Sequence, residues 1–217
     1  MREKRGKTAL RWAAFTAGVV INSFGIAFIT KAALGTSPIS SLPYVLSLRF
    51  PLSLGGFTFI MNLLFVAAQF ALLGREMKPI QLLQLAVNAV FSLAIDLSMA
   101  LLGWLEPVSL PARLVSLLGG CVILAFGLAV EVAPNVLVVP GEGIVRALAR
   151  RTGLRFGSVK VAFDVTLMLI AAALSFLFFG QLNGLGAGTV VSALIVGRIV
   201  NLFNRRLRFL DKLRPEQ

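Results

Sequence analysis

Four ionisable residues interrupt otherwise apolar stretches of this chain: Asp96, Glu131, Asp164 and Arg198. A charged group at membrane depth is costly and usually faces a cavity or a partner, so each marks a place where a proton or a polar solute can be held. Asp96 and Asp164 form the acidic pair best suited to that work, since a buried carboxyl can carry a coupling proton. Lys160 stands one turn before Asp164, a spacing that permits an i,i+4 ion pair. Lys160 and Arg198 are then counter-charges or anion contacts, with an Asp96–Arg198 pair that merely joins helices as the structural alternative. Asn62 and Asn201 add neutral polarity to the same candidate site. Asn22 and Asn88 read as interhelical hydrogen-bond contacts, Glu131 as a residue snorkelling to the surface, and Cys121 as a packing residue.

Other chemistries are excluded by what is missing. The chain has no histidine and a single cysteine. It therefore has no Ser-His-Asp or Cys-His triad, no HEXXH zinc helix, no haem-ligating His and no internal disulfide. Neither a GxxxxGK[ST] run nor a dinucleotide glycine fingerprint occurs. The sequence predicts no enzyme, no cofactor and no metal site.

The elements that must position these residues are membrane spans. Of 217 residues, 58% are apolar and 14% charged, with a mean hydropathy of +0.90. A span needs about 20 largely apolar residues, and six stretches supply them: 12–31, 55–73, 80–102, 111–133, 158–180 and 187–204. The first exceeds the h-region of a signal peptide and reads as an uncleaved span. The formal net charge of +12 resembles a nucleic-acid signature until the 21 Lys and Arg are placed. Seventeen fall in residues 1–11, between spans two and three, around the connection of spans four and five, and after 204. Only Lys31, Arg49 and Arg113 occupy the alternate connections. The positive-inside rule then puts both termini in the cytoplasm, with the basic groups beside anionic lipid and no nucleic-acid partner.

Shifting the chain by 102 residues brings two halves into register, with 13 identities in 55 positions from Gly18 to Leu72. Gly18, Phe24, Gly25, Pro38 and Gly55 meet Gly120, Phe126, Gly127, Pro140 and Gly157, and Asn62 meets Asp164. A shift three residues longer sets Asp96 over Asn201. Each half has three spans, so the second lies upside down relative to the first, a recurring design of secondary transporters. The expected organisation is a basic N-terminus (1–11), repeat one (12–102), repeat two (111–204) and a basic C-terminus (205–217). After the first span of each repeat comes a segment too short to cross. Gly35-Thr36-Ser37-Pro38 and Pro140-Gly141-Glu142-Gly143 open these segments with helix-start signals, and the glycines supply hinges. They fit helices lying flat at the interface and equally helices whose N-termini dip inward toward an anionic group.

The motifs Pro140-Gly141-Glu142-Gly143, Phe156-Gly157-Ser158-Val159-Lys160, Phe163-Asp164 and Gly188-Thr189 with Gly197 resemble the bacterial YczE/YyaS/YitT family of integral membrane proteins. Leu34-Gly35-Thr36-Ser37-Pro38 fits as well, and the likeness runs from residue 12 to 203. The chain resembles the shorter branches, which lack the cytoplasmic domain of the YitT branch. Gly184-Leu185-Gly186-Ala187 departs from the family in having no charged residue. The resemblance implies six spans and no particular substrate. The sequence as a whole predicts an all-α integral membrane protein of the bacterial cytoplasmic membrane. Its six transmembrane helices form two inverted-topology three-helix repeats, each with a short amphipathic or re-entrant helix after its first span. It would act as a secondary transporter of a small zwitterionic or weakly anionic solute, proton-coupled through buried carboxylates. Glu142 would be a gate or ligand group, and Thr36 and Ser37 would offer hydroxyls. The alternative is a non-transporting scaffold for a partner enzyme. Expected partners are the lipid bilayer, a small-molecule solute, and either a second copy or a partner subunit.

Overall fold

Apolar stretches of some twenty residues satisfy their backbone groups internally, and the chain does so entirely with helices. The structure, a computed structural model, describes residues 2–77 and 79–214; the side chains of residues 2–7 and 212 also lie outside what is described. The basic residues Arg2, Lys4, Arg5, Lys7, Lys78 and Lys212 of the sequence analysis fall there, as do 215–217. Six helices are long and apolar enough to span a membrane: α1 (Arg2–Lys31), α3 (Leu54–Leu73), α4 (Leu83–Leu101), α5 (Leu110–Val132), α7 (Phe156–Phe179) and α8 (Ala187–Arg206). They agree with the expected spans to within a few residues, except that α1 begins ten residues before the expected start at 12. Two shorter helices, α2 (Pro38–Arg49) and α6 (Pro140–Thr152), follow α1 and α5, and α9 (Phe209–Leu213) follows α8.

Helices α1 and α5 form the spine, with 56% of each apolar window inside the protein against 17% for α7 and α8. They run antiparallel and nearly touch backbone to backbone. A Cβ at Gly25 would fall 2.5 Å from the Leu124 backbone, one at Gly120 would fall 2.8 Å from the Ile29 nitrogen, and those at Gly18 and Gly127 would meet the Glu131 and Asn22 backbones. Small residues permit this approach, and close van der Waals contact is what holds helices together in lipid. Buried Ile26, Ile29, Ile95, Leu117 and Leu124 continue the core outward from the spine.

Around the spine, α4 packs on α1 and α8 on α5. Helix α3 lies along α4 and α6, whereas α7 lies along α2 and α6 and does not pack along α8 as α3 does along α4. Leu93, Val161, Leu169, Leu177 and Leu194 are exposed on the outer faces, where they contact lipid. Ser53 caps α3, its hydroxyl accepting from the Gly56 N–H at 3.0 Å, and α7 ends on left-handed Gly180. Just after α1 and α5, Ala33 (φ 56°) and Asn135 (φ 47°) adopt the left-handed conformation rare for residues with a Cβ.

Candidate functional site

The two short helices create the polar interior. Each begins with proline at its first position, where the missing N–H costs nothing. Their N-terminal halves are buried (Pro38, Ser40, Ser41; Pro140, Gly141, Gly143, Ile144), while Arg49, Arg150 and Arg151 are exposed at the far ends. Both helices bury their N-terminal ends inside the protein. The tips meet, with the Ile39 side chain lying against Gly141 where a Cβ would go. Helix dipoles place partial positive charge at both tips. Pro43, inside α2, has no N–H to donate to the Ile39 carbonyl four residues back.

Each tip is clamped by the opposite half of the chain. Thr189 Oγ1 accepts from the Thr36 N–H at 3.2 Å, Leu34 O accepts from the Gly188 N–H at 2.8 Å, and the Thr30 and Thr36 hydroxyls lie 2.7 Å apart. Gly35, at φ 117°, backs onto Thr189, and any side chain there would be strained as well as blocked. At the other tip the amides of Gln69 and Gln84 exchange hydrogen bonds of 3.2 and 3.3 Å, and Gln69 Nε2 also donates to the Pro140 carbonyl at 3.3 Å. Gly143 admits the Gln69 side chain, which lies where a Cβ would stand. Ser37 occupies the N-cap of α2, yet its hydroxyl does not cap the helix as the sequence predicts; it donates to Ser40 Oγ at 2.8 Å.

The two aspartates are not brought together. Asp96, half-buried near the end of α4, accepts from Ser53 Oγ at 2.6 Å and from the Gly55 N–H at 2.8 Å, so it completes the N-terminus of α3. Asp164 accepts from Lys160 Nζ at 2.5 Å, the i,i+4 pair that the spacing permits. Helix α3 gives their separation: Phe163 of α7 stacks on Phe65, ten residues along α3 from Gly55, which is roughly 15 Å of axial rise. A cleft of about 500 Å³ is lined by Asp96 with Tyr44, Ser47, Ser53 and Met99, but not by Asp164. A neighbouring cleft of about 320 Å³ includes Thr30, Lys31, Tyr44, Glu106 and Arg113.

Arg198 and Asn201 are exposed, and the described partners of Asp96 do not include Arg198. Helical phase explains this. The inward face of α8 carries Gly188, Thr189, Ser192, Val196, Ile199 and Phe203, and Arg198 and Asn201 fall off that stripe. Asn62 is buried and donates through Nδ2 to Asn88 Oδ1 at 2.8 Å, while Asn88 Nδ2 donates to the Phe59 carbonyl at 3.0 Å. Glu142 is half-buried in the first turn of α6. Glu131 does not snorkel: it is 2% exposed and accepts from Asn22 Nδ2 at 2.9 Å. Gln69, Gln84 and Ser192 escaped the sequence reading and Thr189 entered it only within a family motif, although Gln84 lies over Thr189 at the same 105-residue shift that aligns Asp96 with Asn201.

Residues 9–205 match the family described as a family of unknown function, DUF6198. The chain belongs to this family. The DUF6198 chain is also similar to the uncharacterized membrane protein YczE of Bacillus subtilis (strain 168), 27% identical over 192 residues that cover 88% of this chain and 84% of YczE. No solved structure matches it. This YczE-like membership agrees with the resemblance carried by the Pro140–Gly143 and Phe156–Lys160 motifs, and it makes the DUF6198 chain a multi-pass membrane protein.

Proposed function

We propose that this protein is a secondary transporter of a small zwitterionic or weakly anionic solute, built from two inverted repeats of three spans. The observation that carries the reading is the meeting of two buried helix tips, one from each half, at Ile39 and Gly141. Paired half-helix tips of this kind suit an anionic group bound between moving halves. The repeat is supported by residues that recur at one register. Ala33 and Asn135, both left-handed, stand 102 residues apart. The spine contacts also map onto themselves under the same shift: Gly18 against Glu131 becomes Ile29 against Gly120, and Asn22 against Gly127 becomes Gly25 against Leu124.

In this reading the solute lies between the tips, near the hydroxyls of Thr36, Ser37 and Ser40, with Glu142 as a gate. Asp96 serves the cleft at the Ser53 end, and Lys160 with Asp164 serves the other side. The bacterial cytoplasmic membrane, with both termini inside, is the setting that the basic collar favours. No catalytic step is proposed. Uptake of labelled zwitterionic and weakly anionic solutes into proteoliposomes tests the function, with Asp96→Asn and Asp164→Asn beside the parent protein. Saturable uptake that falls in these variants is expected. Uptake unchanged in both removes the aspartates from the pathway, and no uptake of any solute removes the transporter.

A scaffold for a partner enzyme is the second reading. Arg146, Arg150 and Arg151 are exposed on α6, and the cleft at Asp96 does not extend to Asp164. Co-purification of a partner lost on reversing the Arg146 and Arg151 charges, without solute uptake, would favour it.

A further inference from the structure

Among the described residues, Glu131 is the one side chain of a charged type that is fully buried, at 2% exposure. It sits in the last turn of α5, closed in by Gly18 of α1, whose missing side chain leaves room for the Glu131 backbone. The described donor to its carboxyl is the Asn22 amide, at 2.9 Å. A second carboxyl, Glu142 of α6, lies close enough to act on it electrostatically. Of the other charged groups nearby, those whose side chains are described are committed or turned away. Arg11 of α1 donates through Nε and Nη2 to the Pro134 carbonyl. Arg198 of α8 is exposed, and Asp211 of α9 pairs with Arg214. The α8 and α9 residues packed beside this end of α5 are Val200, Phe203, Leu210 and Leu213.

A buried carboxylate whose described donor is a single neutral amide is expensive to ionise. Two neighbouring carboxyls cannot both be ionised cheaply either. Of the two, Glu142 is half-exposed and stands in the first turn of a helix, where the dipole favours negative charge. We propose that Glu131 is the coupling-ion site of this protein and that its ion is a proton, held on Glu131 under the influence of the neighbouring Glu142. The assignment takes its purpose from the transport reading above, while the proton itself is measured without any solute.

The experiment uses the full chain, isotope-labelled at its glutamate carboxyls, in lipid nanodiscs, with infrared difference spectra taken across pH. The expected result is a carboxylic-acid band at neutral pH that is lost in Glu131→Gln. Glu142→Gln removes a neighbouring negative charge and should move the loss of the band to lower pH by about one unit, within the range of nearby-charge effects. Asn22→Leu removes a donor to the ionised form and should move it to higher pH. Absence of an acid band assignable to Glu131, or a band unmoved by Glu142→Gln, overturns the proposal. A band erased by sodium at fixed pH overturns it in favour of a metal cation. Should Glu131→Gln fail to fold, the parent protein and Glu142→Gln decide alone. A band that behaves as stated without uptake of any solute removes the transporter and leaves the proton site; uptake without the band does the reverse.

Discussion

The seam between α3 and α4 is fastened by two pairs of amides, Asn62 with Asn88 and Gln69 with Gln84. At the positions 102 and 105 residues later the chain has Asp164, Ala193, Ala171 and Thr189. No amide pair is possible there, and α7 does not pack along α8 as α3 does along α4. Asp164 turns instead to Lys160 on its own helix, and Thr189 turns away from α7 to hold the backbone at Thr36. The two halves share a plan but differ in fastening. Helices α3 and α4 form one block with the α6 tip, while α7 is held through α2 and α6, the two short helices. Motion between the halves would therefore be easiest at α7.

The largest effect should come from bridging the two seams. With Cys121 replaced by Ala, the pair Asn62→Cys and Asn88→Cys should link readily with a short bifunctional thiol reagent. Asp164→Cys with Ala193→Cys should link slowly or not at all, and equal yields would erase the difference between the halves. Next comes Gln69→Leu, which strips Gln84 of its partner and the Pro140 carbonyl of its donor. Orphaned buried polar groups cost about 1–3 kcal/mol, so thermal unfolding in detergent should show a clear loss of stability. Asn88→Ala should cost less, about 1 kcal/mol, since interhelical hydrogen bonds in membranes average below that figure and rarely reach twice it. Asp164→Asn should change stability by less than about 0.5 kcal/mol, as is usual for partly exposed i,i+4 pairs. A larger loss would mean that Asp164 fastens α7 after all.

Much of this was legible in the sequence because membrane spans advertise themselves by length and apolarity. The six helices, the two short helices opened by Pro38 and Pro140, and the Lys160–Asp164 pair all follow from local pattern. What escaped were partnerships across the bundle. Asp96 looked like half of an acidic pair, but its neighbour in space is the N-terminus of α3, set by the turn at Ser53, which periodicity does not report. Arg198 and Asn201 looked internal because their span is apolar, yet the phase of α8 turns them outward. Glu131, at the end of its span, looked interfacial; the close approach of α1 at Gly18 and Asn22 buries it. Gln69 and Gln84 drew no reading from the sequence, because only the fold sets them face to face. Which neighbours enclose the N-termini of the short helices also depended on the fold, which local sequence does not contain.

In the proposed transport cycle, a site between the α2 and α6 tips opens to both faces of the membrane in turn. Ser40 lies there, 3% exposed, and Ser40→Cys in a Cys121→Ala background reports on it directly. A membrane-impermeant thiol reagent should modify this cysteine both in intact cells and in inside-out vesicles. Modification from one face only, or from neither, would contradict alternating access and leave the protein a static membrane scaffold.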